Sequence, residues 1–455
     1  MPDPSSRRIV IVGAGPCGLA CARELVALGH DDWTIVERAG EAGGHAGSAV
    51  DSHGFTWDQG GHVVFSHYGE FDRLLEDALG DDVHEHERSS YVRLDGRWIP
   101  YPFQNNLRYL SPEDAYECLV GLIEAAGSNG TEAASGASFA TWMEATFGEG
   151  ITRLFMRPYN LKVWATPAER MSASWIAERV SVVDHKRALR SILLGLDDVG
   201  WGPNNTFRFP RSGGTGEIYR RVADRLGEKV RYDAELVALD TERRLARFAD
   251  GSSEEYDVMV STMPIDRLVA AVEDCPKEVR SAAASLEHNG VFVVGVGCER
   301  GLQDDRSWLY FADPSVPFYR ATNFAKYAAA NVPAGDTERY SSYMTETAYS
   351  DYRPRDRGSL EEDVVDGLVA TGLIDEEVPI ASLYTLDVDY AYPVPTLDRD
   401  AALEVVQPWL MERDIYSRGR FGSWRYEIGN MDHAVKMGVD VARFLVEGRP
   451  EEIWS

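Results

Sequence analysis

The sequence predicts an α/β fold: a Rossmann-like dinucleotide-binding domain with a helical insertion domain and a second, antiparallel β-sheet domain. Three observations predict it. Near the start, an apolar run too short for a helix, Ile9–Val12, meets a G-x-G-x-x-G turn (Gly13, Gly15, Gly18) and then an amphipathic helix. From about residue 104 to 195 the apolar pattern turns helical. Beyond it, the runs Phe292–Val296, Trp308–Phe311 and Tyr340–Thr345 read as strands of another sheet.

Each part of the first unit has a physical task. Gly13 allows the tight turn, Gly15 lets the backbone approach a pyrophosphate, and Gly18 lets helix and strand pack closely. The helix start offers free N–H groups and partial positive charge to phosphates. A second apolar run then ends in Glu37, in the window where a carboxylate meets a ribose hydroxyl. A second glycine cluster, Gly40 to Gly47 and including Gly43 and Gly44, follows at once. That order suits an FAD protein of the glutathione-reductase/amine-oxidase type, where this loop covers the diphosphate and ribityl chain. Further on, Phe55–Phe65 carries Asp58-Gln-Gly-Gly-His62.

Helices are expected at 112–126, 138–147 and 150–157, a Gly/Ser/Ala/Thr-rich loop at 127–138, and a Gly/Asn/Pro-rich loop at 196–216. A helix at 216–226 precedes a meander over 229–239 and 244–248, closed by a buried strand at 256–261. Near the end, Gly429-Asn-Met-Asp-His433 opens an amphipathic helix to about Val446. Its start, with Asn430 and Met431, suits the flavin pyrimidine, where it stabilises negative charge at N1/C2=O. The expected domains are therefore a cofactor unit (1–87, 204–287, 377–455), a helical unit (107–195) and a β-sheet unit (88–106, 196–203, 288–376).

Composition sets the bounds. With 455 residues the chain has ample core for two or three domains. A net charge of −28 argues against nucleic acid or an anionic membrane as partner. The opening residues lack the apolar core of a secretory signal, no run is long enough for membrane insertion, and five scattered cysteines fit a reducing compartment, so a cytoplasmic location is expected. Cys17 and Cys21, one helical turn apart, read as buried small residues. There is no metal-ligand cluster, nucleophile elbow or obvious carboxylate pair. An anionic substrate would need arginines concentrated at its site against the global field.

Longer strings decide the chemistry. These are Tyr101-Pro-Phe-Gln-Asn105, Phe155-Met-Arg-Pro-Tyr-Asn-Leu-Lys-Val-Trp164, Trp201-Gly-Pro-Asn204, Phe318-Tyr-Arg-Ala-Thr322, Tyr392-Pro-Val-Pro-Thr396 and Gly419-Arg-Phe-Gly-Ser-Trp-Arg-Tyr426. With Gly60-Gly61-His62 they resemble the UDP-galactopyranose mutase family, its eukaryotic-type branch above all, over nearly the whole chain. Tyr101 and Phe103 offer aromatic faces and Gln104 an amide for a base, although Tyr101-Pro-Phe also suits core packing after a turn. The resemblance implies that Tyr101, Phe103, Gln104 and Asn160 hold uridine, and that Tyr310, Arg320, Tyr392 and Tyr426 bind the diphosphate. It puts Arg179, Asn204 and Arg420 near sugar and phosphates with Trp164 beside them, and Gly61 and His62 next to the flavin. Arg88 and Ser90 match positions that serve NADPH, which implies NAD(P)H as reductant. Two positions depart: His45 stands where a leucine is usual, and Met431 where a glutamine is.

The implied reaction is pyranose–furanose interconversion of a UDP-sugar, with reduced FAD as nucleophile at the anomeric carbon and no net redox change. His62, Arg179, Arg320 and Arg420 are its expected catalytic set. A homo-oligomer is a further expectation. The rivals are a mutase of a different NDP-pyranose, a flavin oxidoreductase of amine-oxidase or desaturase type with a mainly apolar chamber, and a non-catalytic binding protein lacking His62 or the arginines.

Overall fold

The computed structural model of the chain describes residues 7–127, 137–176, 183–199 and 206–454. Its first layer is a five-stranded parallel sheet in the order Ile415–Ser417, Val258–Ser261, Ile9–Val12, Trp33–Val36, Val230–Arg231. Ile9, Val10 and Ile11 are fully enclosed, as expected of a parallel strand covered on both faces. The helix Pro16–Ala27 starts directly after the glycine turn with proline in its first turn, where the missing N–H costs nothing. The C-terminal helix Met431–Glu447 crosses it at Gly438, where a Cβ would stand 2.1 Å from the Cys17 carbonyl oxygen. Cys17 and Cys21 are thus small residues at a helix crossing, and burial pushes the Cys17 thiol up to about 12.

The second layer is a seven-stranded sheet in the order Ile380–Pro393, His288–Cys298, Ser341–Tyr349, Arg320–Asn323, Trp308–Phe311, Ser90–Leu94, Arg97–Pro100. Its pairings are antiparallel except between Trp308–Phe311 and Ser90–Leu94. The expected strands at 292–296, 308–311 and 340–345 all lie in it. So does Ile380–Pro393, which moves the expected return to the cofactor unit at 377 to beyond Pro393. In this strand only the cross-strand pairing to His288–Cys298, not a local pattern, fixes the sheet it joins.

The helical insertion comprises Pro112–Gly127, Phe139–Ile151, a π-helical turn Thr152–Met156, Arg157–Trp164 and His185–Leu194. The expected break between two helices near 148 is a kink at Gly148, with φ 72°, inside one continuous path. The loop expected at 196–216 contains a strand, Thr206–Pro210, paired with Val83–Glu87. Phe207 and Phe209 point inward and Thr206 and Arg208 outward, a two-residue alternation hidden by the Gly/Pro-rich flanks.

Candidate active site

One cavity of about 1090 Å3 runs from the glycine turn of the parallel sheet to the aromatic face of the large sheet. At its first end the two glycine clusters face each other. Gly13 has φ +106°, and a Cβ there would meet Thr262 Oγ1 at 2.1 Å, so the fold itself requires glycine. Gly18 packs on the Gly13 carbonyl, which a Cβ would approach to 2.0 Å. Gly15 differs. Its φ is −84° and a Cβ would meet no atom closer than 3.8 Å. Neither conformation nor packing excludes a side chain there, which leaves the open space itself as the reason for glycine. An opening of this kind at a helix start suits a pyrophosphate.

Glu37 is buried and holds the turn closed. One carboxylate oxygen accepts from the Ala14 N–H at 2.7 Å, the other from the Ala39 N–H at 2.9 Å. It also lines the cavity. Gly44, Gly61, His62, Asn430 and Met431 line the same space. Gly18 and Gly43 do not: they shape the loops from behind. His62 Nδ1 stands 3.6 Å from Asp58 Oδ2, an electrostatic contact longer than a hydrogen bond. His45 also lines the cavity. Burial, together with the Arg420 and Arg38 guanidinium groups, pushes it down to about 3, so it is neutral.

The C-terminal helix begins at this wall. Asp432 is buried and accepts from the ring nitrogen of His67 at 2.8 Å and of His433 at 3.0 Å. Burial opposes its charge, but these hydrogen bonds win and hold its carboxyl at about 2.

The other end is built from side chains of distant segments. Arg320 lies directly opposite Glu346 in an antiparallel strand pair, and their side chains form a two-pronged ion pair, Nε to Oε1 at 2.6 Å and Nη2 to Oε2. Burial works against both charges, but the pair prevails, with Arg320 held up and Glu346 held down. Glu346 also accepts from the Tyr319 hydroxyl at 2.6 Å and from the Gly61 N–H at 2.8 Å. The Nη1 group of Arg320 has no protein hydrogen bond among the described residues. Its guanidinium lies over the Trp308 ring, 4.4 Å from the centroid.

Phenols surround this pair. Tyr101 stands 4.8 Å from Tyr310, Tyr159 meets Tyr310 edge-on, and Tyr392 and Tyr426 both pack on Trp164. Burial pushes the Tyr101, Tyr159, Tyr319 and Tyr392 hydroxyls upward, so they stay neutral donors. Arg88 reaches Tyr310 Oη at 3.2 Å and Ser90 Oγ at 3.1 Å.

Of the sequence-expected substrate residues, Tyr101, Gln104, Asn160, Trp164, Tyr310, Arg320, Tyr392, Arg420 and Tyr426 line the cavity, as does Arg88, expected at the NADPH position. Phe103 does not. It is fully buried against Phe155, at 4.9 Å, and Phe155 in turn stacks on the cavity residue Tyr159. The core-packing reading of Tyr101-Pro-Phe therefore holds for its phenylalanine. Ser90 stands behind Arg88, off the wall. Arg420 donates to the carbonyls of Ala391 at 3.0 Å and Gly429 at 2.9 Å, tying the large sheet to the start of the C-terminal helix. Arg179 and Asn204 lie outside the described residues. The sequence reasoning missed Glu346, Tyr319, Tyr159 and Trp308. A charged residue directly after the expected strand Tyr340–Thr345 was the available signal for Glu346.

Among the described residues no group of three or more His, Cys, Asp or Glu side chains is placed to hold a metal, and no helix is long and apolar enough to cross a membrane. The family model for flavin containing amine oxidoreductase matches residues 16–370. The chain is similar to a solved structure of reduced UDP-galactopyranose mutase, with 39% identity and a TM-score of 0.93, over 98% of this chain and 94% of that one. It shares the fold of a CLA-producing fatty acid isomerase from P. acnes (16% identity, TM-score 0.69, 96% and 98% covered). The fold is also that of a cyclohexylamine oxidase from Brevibacterium oxydans (18%, TM-score 0.67, 98% and 99%).

Proposed function

We propose a function from one premise: the chain belongs to the flavin containing amine oxidoreductase family and, within it, to the UDP-galactopyranose mutases. It is a flavoenzyme of the isomerase class, and its reaction is the interconversion of UDP-galactopyranose and UDP-galactofuranose. One observation carries the reading at the level of residues: a single cavity joins a pyrophosphate cradle to a wall of neutral phenols around a buried guanidinium. The oxidoreductase alternative calls for an apolar chamber, which this wall is not.

The residues fit FAD. The open space at Gly15, the facing Gly44 and the start of the C-terminal helix suit diphosphate and flavin ring in turn. When bound and reduced, the flavin supplies a nucleophile for the anomeric carbon. The chain's own contribution is binding and charge. Arg320 and the hydroxyls of Tyr310, Tyr392 and Tyr426 hold the diphosphate and stabilise the negative charge of departing UDP. Hydroxyl donors do this without placing a further carboxylate or cation beside Glu346. Tyr101, Gln104 and Asn160 hold uridine. Arg420 positions the site by fixing Gly429 against Ala391, and neutral His45 adds no charge next to the flavin. NAD(P)H is the reductant, with Arg88 and Ser90 at its site.

The test is anaerobic incubation with UDP-galactofuranose, with and without dithionite, products being followed by chromatography. Conversion to the pyranose form only in the reduced sample is expected. Turnover by oxidised enzyme in air, or none in either sample, overturns the reading.

A further inference from the structure

Where the C-terminal helix opens onto the cavity, one buried carboxylate serves two imidazoles. Asp432 is 1% exposed. Its Oδ1 accepts from the backbone N–H of His433 at 2.9 Å and from that ring's Nδ1 at 3.0 Å. Its Oδ2 accepts from the backbone N–H of His67 at 3.1 Å and from that ring's Nδ1 at 2.8 Å. The two rings lie 5.9 Å apart, and His67, Asp432 and His433 line the cavity beside Asn430 and Met431. The two backbone bonds already tie the loop at His67 to the helix start. The two ring bonds do something further: they fix the tautomers. The carboxylate is ionised and only accepts, so each ring carries its proton on Nδ1 and titrates at Nε2.

Two opposed influences act on His433. It sits in the first turn of Met431–Glu447, where the partial positive charge of the helix end disfavours a second proton on the ring, while Asp432 favours one. The other groups around it leave that contest in place. Lys436, one turn on, is matched by Asp440 at 2.8 Å and Glu452 at 2.7 Å, with Glu70 at 3.7 Å. Tyr68 meets the His433 ring edge-on at 5.4 Å. Tyr219, from the helix Gly216–Leu226, acts on Asp432, and burial pushes its hydroxyl upward, so it stays neutral. A new negative charge at the helix start therefore adds to the influence that favours the proton.

We propose that His433 takes up a proton at Nε2 when the flavin is reduced, with Asp432 as its fixed counter-charge and His67 holding Asp432 from the other side. This rests on the flavin reading above, with the pyrimidine at the start of the C-terminal helix. The step balances: two electrons from the reductant and one proton go to the flavin, and a second proton, from solvent, goes to His433. The reduced cofactor keeps its negative charge, and the cavity wall gains a matching positive one. An electron-rich flavin is thus held without an unmatched charge in a buried site.

The FAD-loaded protein is titrated against dyes of known potential across roughly pH 6–8, where an imidazole changes charge, and the absorption of the reduced form is recorded. In a two-electron couple each proton taken up lowers the midpoint potential by about 30 mV per pH unit. The wild type is expected to show twice that slope, with the absorption of an anionic reduced flavin. His433→Asn keeps a donor towards Asp432 but cannot titrate, and its slope falls to the one-proton value. His67→Asn keeps the two-proton slope. A one-proton slope in the wild type overturns the inference, and does so even where neither variant folds. An undiminished slope in His433→Asn overturns it as well, and so does a two-proton slope with the absorption of a neutral reduced flavin, which puts the second proton on the cofactor. A protein that takes up no FAD overturns instead the flavin reading, and this inference with it.

Discussion

The two ends of the cavity are built on opposite principles. The cofactor end is local in sequence and made of backbone: two glycine clusters within about forty residues, with Glu37 serving mainly to hold the turn through the Ala14 and Ala39 N–H groups. The substrate end is assembled from side chains of at least five separate segments, and its central cation needs a partner from another strand, Glu346, to stay buried. Space does the work at one end and paired charge at the other. A mutation should therefore subtract differently at each.

The largest expected effect is at Gly15. Gly15→Val should leave a folded, colourless protein, because the new side chain meets nothing in the chain closer than 3.8 Å at Cβ and fills the space meant for the pyrophosphate. Gly13→Ala, by contrast, should compromise the fold, since its Cβ would stand 2.1 Å from Thr262 Oγ1. Circular dichroism with flavin content separates the two. A Gly15→Val protein that retains FAD would show that the open space is not the cradle.

At the other end, Arg320→Ala should weaken UDP binding by on the order of 2–5 kcal/mol. It should also destabilise the protein, because Glu346 is left buried without a counter-charge. Adding Glu346→Gln should recover most of the stability and none of the affinity, read by thermal unfolding and UDP titration. Recovery of both would place the diphosphate elsewhere. Arg320→Lys should rescue only in part, having lost the fork.

The smallest effect is a titration at the boundary between the ends. His45 has its folded value lowered from 6.5 to about 3, so its stabilising contribution is complete above 6.5 and is lost as pH falls towards 3. At pH 5.5 the apoprotein should have lost roughly 1.4 kcal/mol from this group. His45→Leu should flatten that part of the denaturant-midpoint profile. An unchanged slope would show that His45 is not held neutral at the cavity wall.

The same contrast explains what was legible in the sequence. The cofactor end could be read because strand, turn, helix and acid follow one another, so spacing reports geometry. The large sheet was legible as strands, but not its order: Ile380–Pro393 pairs across the chain with His288–Cys298, and no local pattern announces that. Thr206–Pro210 was hidden because its alternation spans five residues between glycines and prolines. At the substrate end, family resemblance found Arg320 and the tyrosines, while Glu346 escaped because its task is defined only by a partner strand. Phe103 shows a related ambiguity. An aromatic beside a binding residue looks the same in sequence whether it faces ligand or core, and here Phe155 claims it.

Glu346 touches both ends at once, through Arg320 on one side and the Gly61 N–H, next to His62, on the other. One carboxylate thus enters two equilibria. An anion that draws Arg320 away changes how firmly Gly61 is held, and a change of cofactor state that moves Gly61 changes what Arg320 offers. By linkage the two effects are equal in free energy. The change in nucleotide affinity between two cofactor states and the change in cofactor-state preference on nucleotide binding are then a single quantity measured twice.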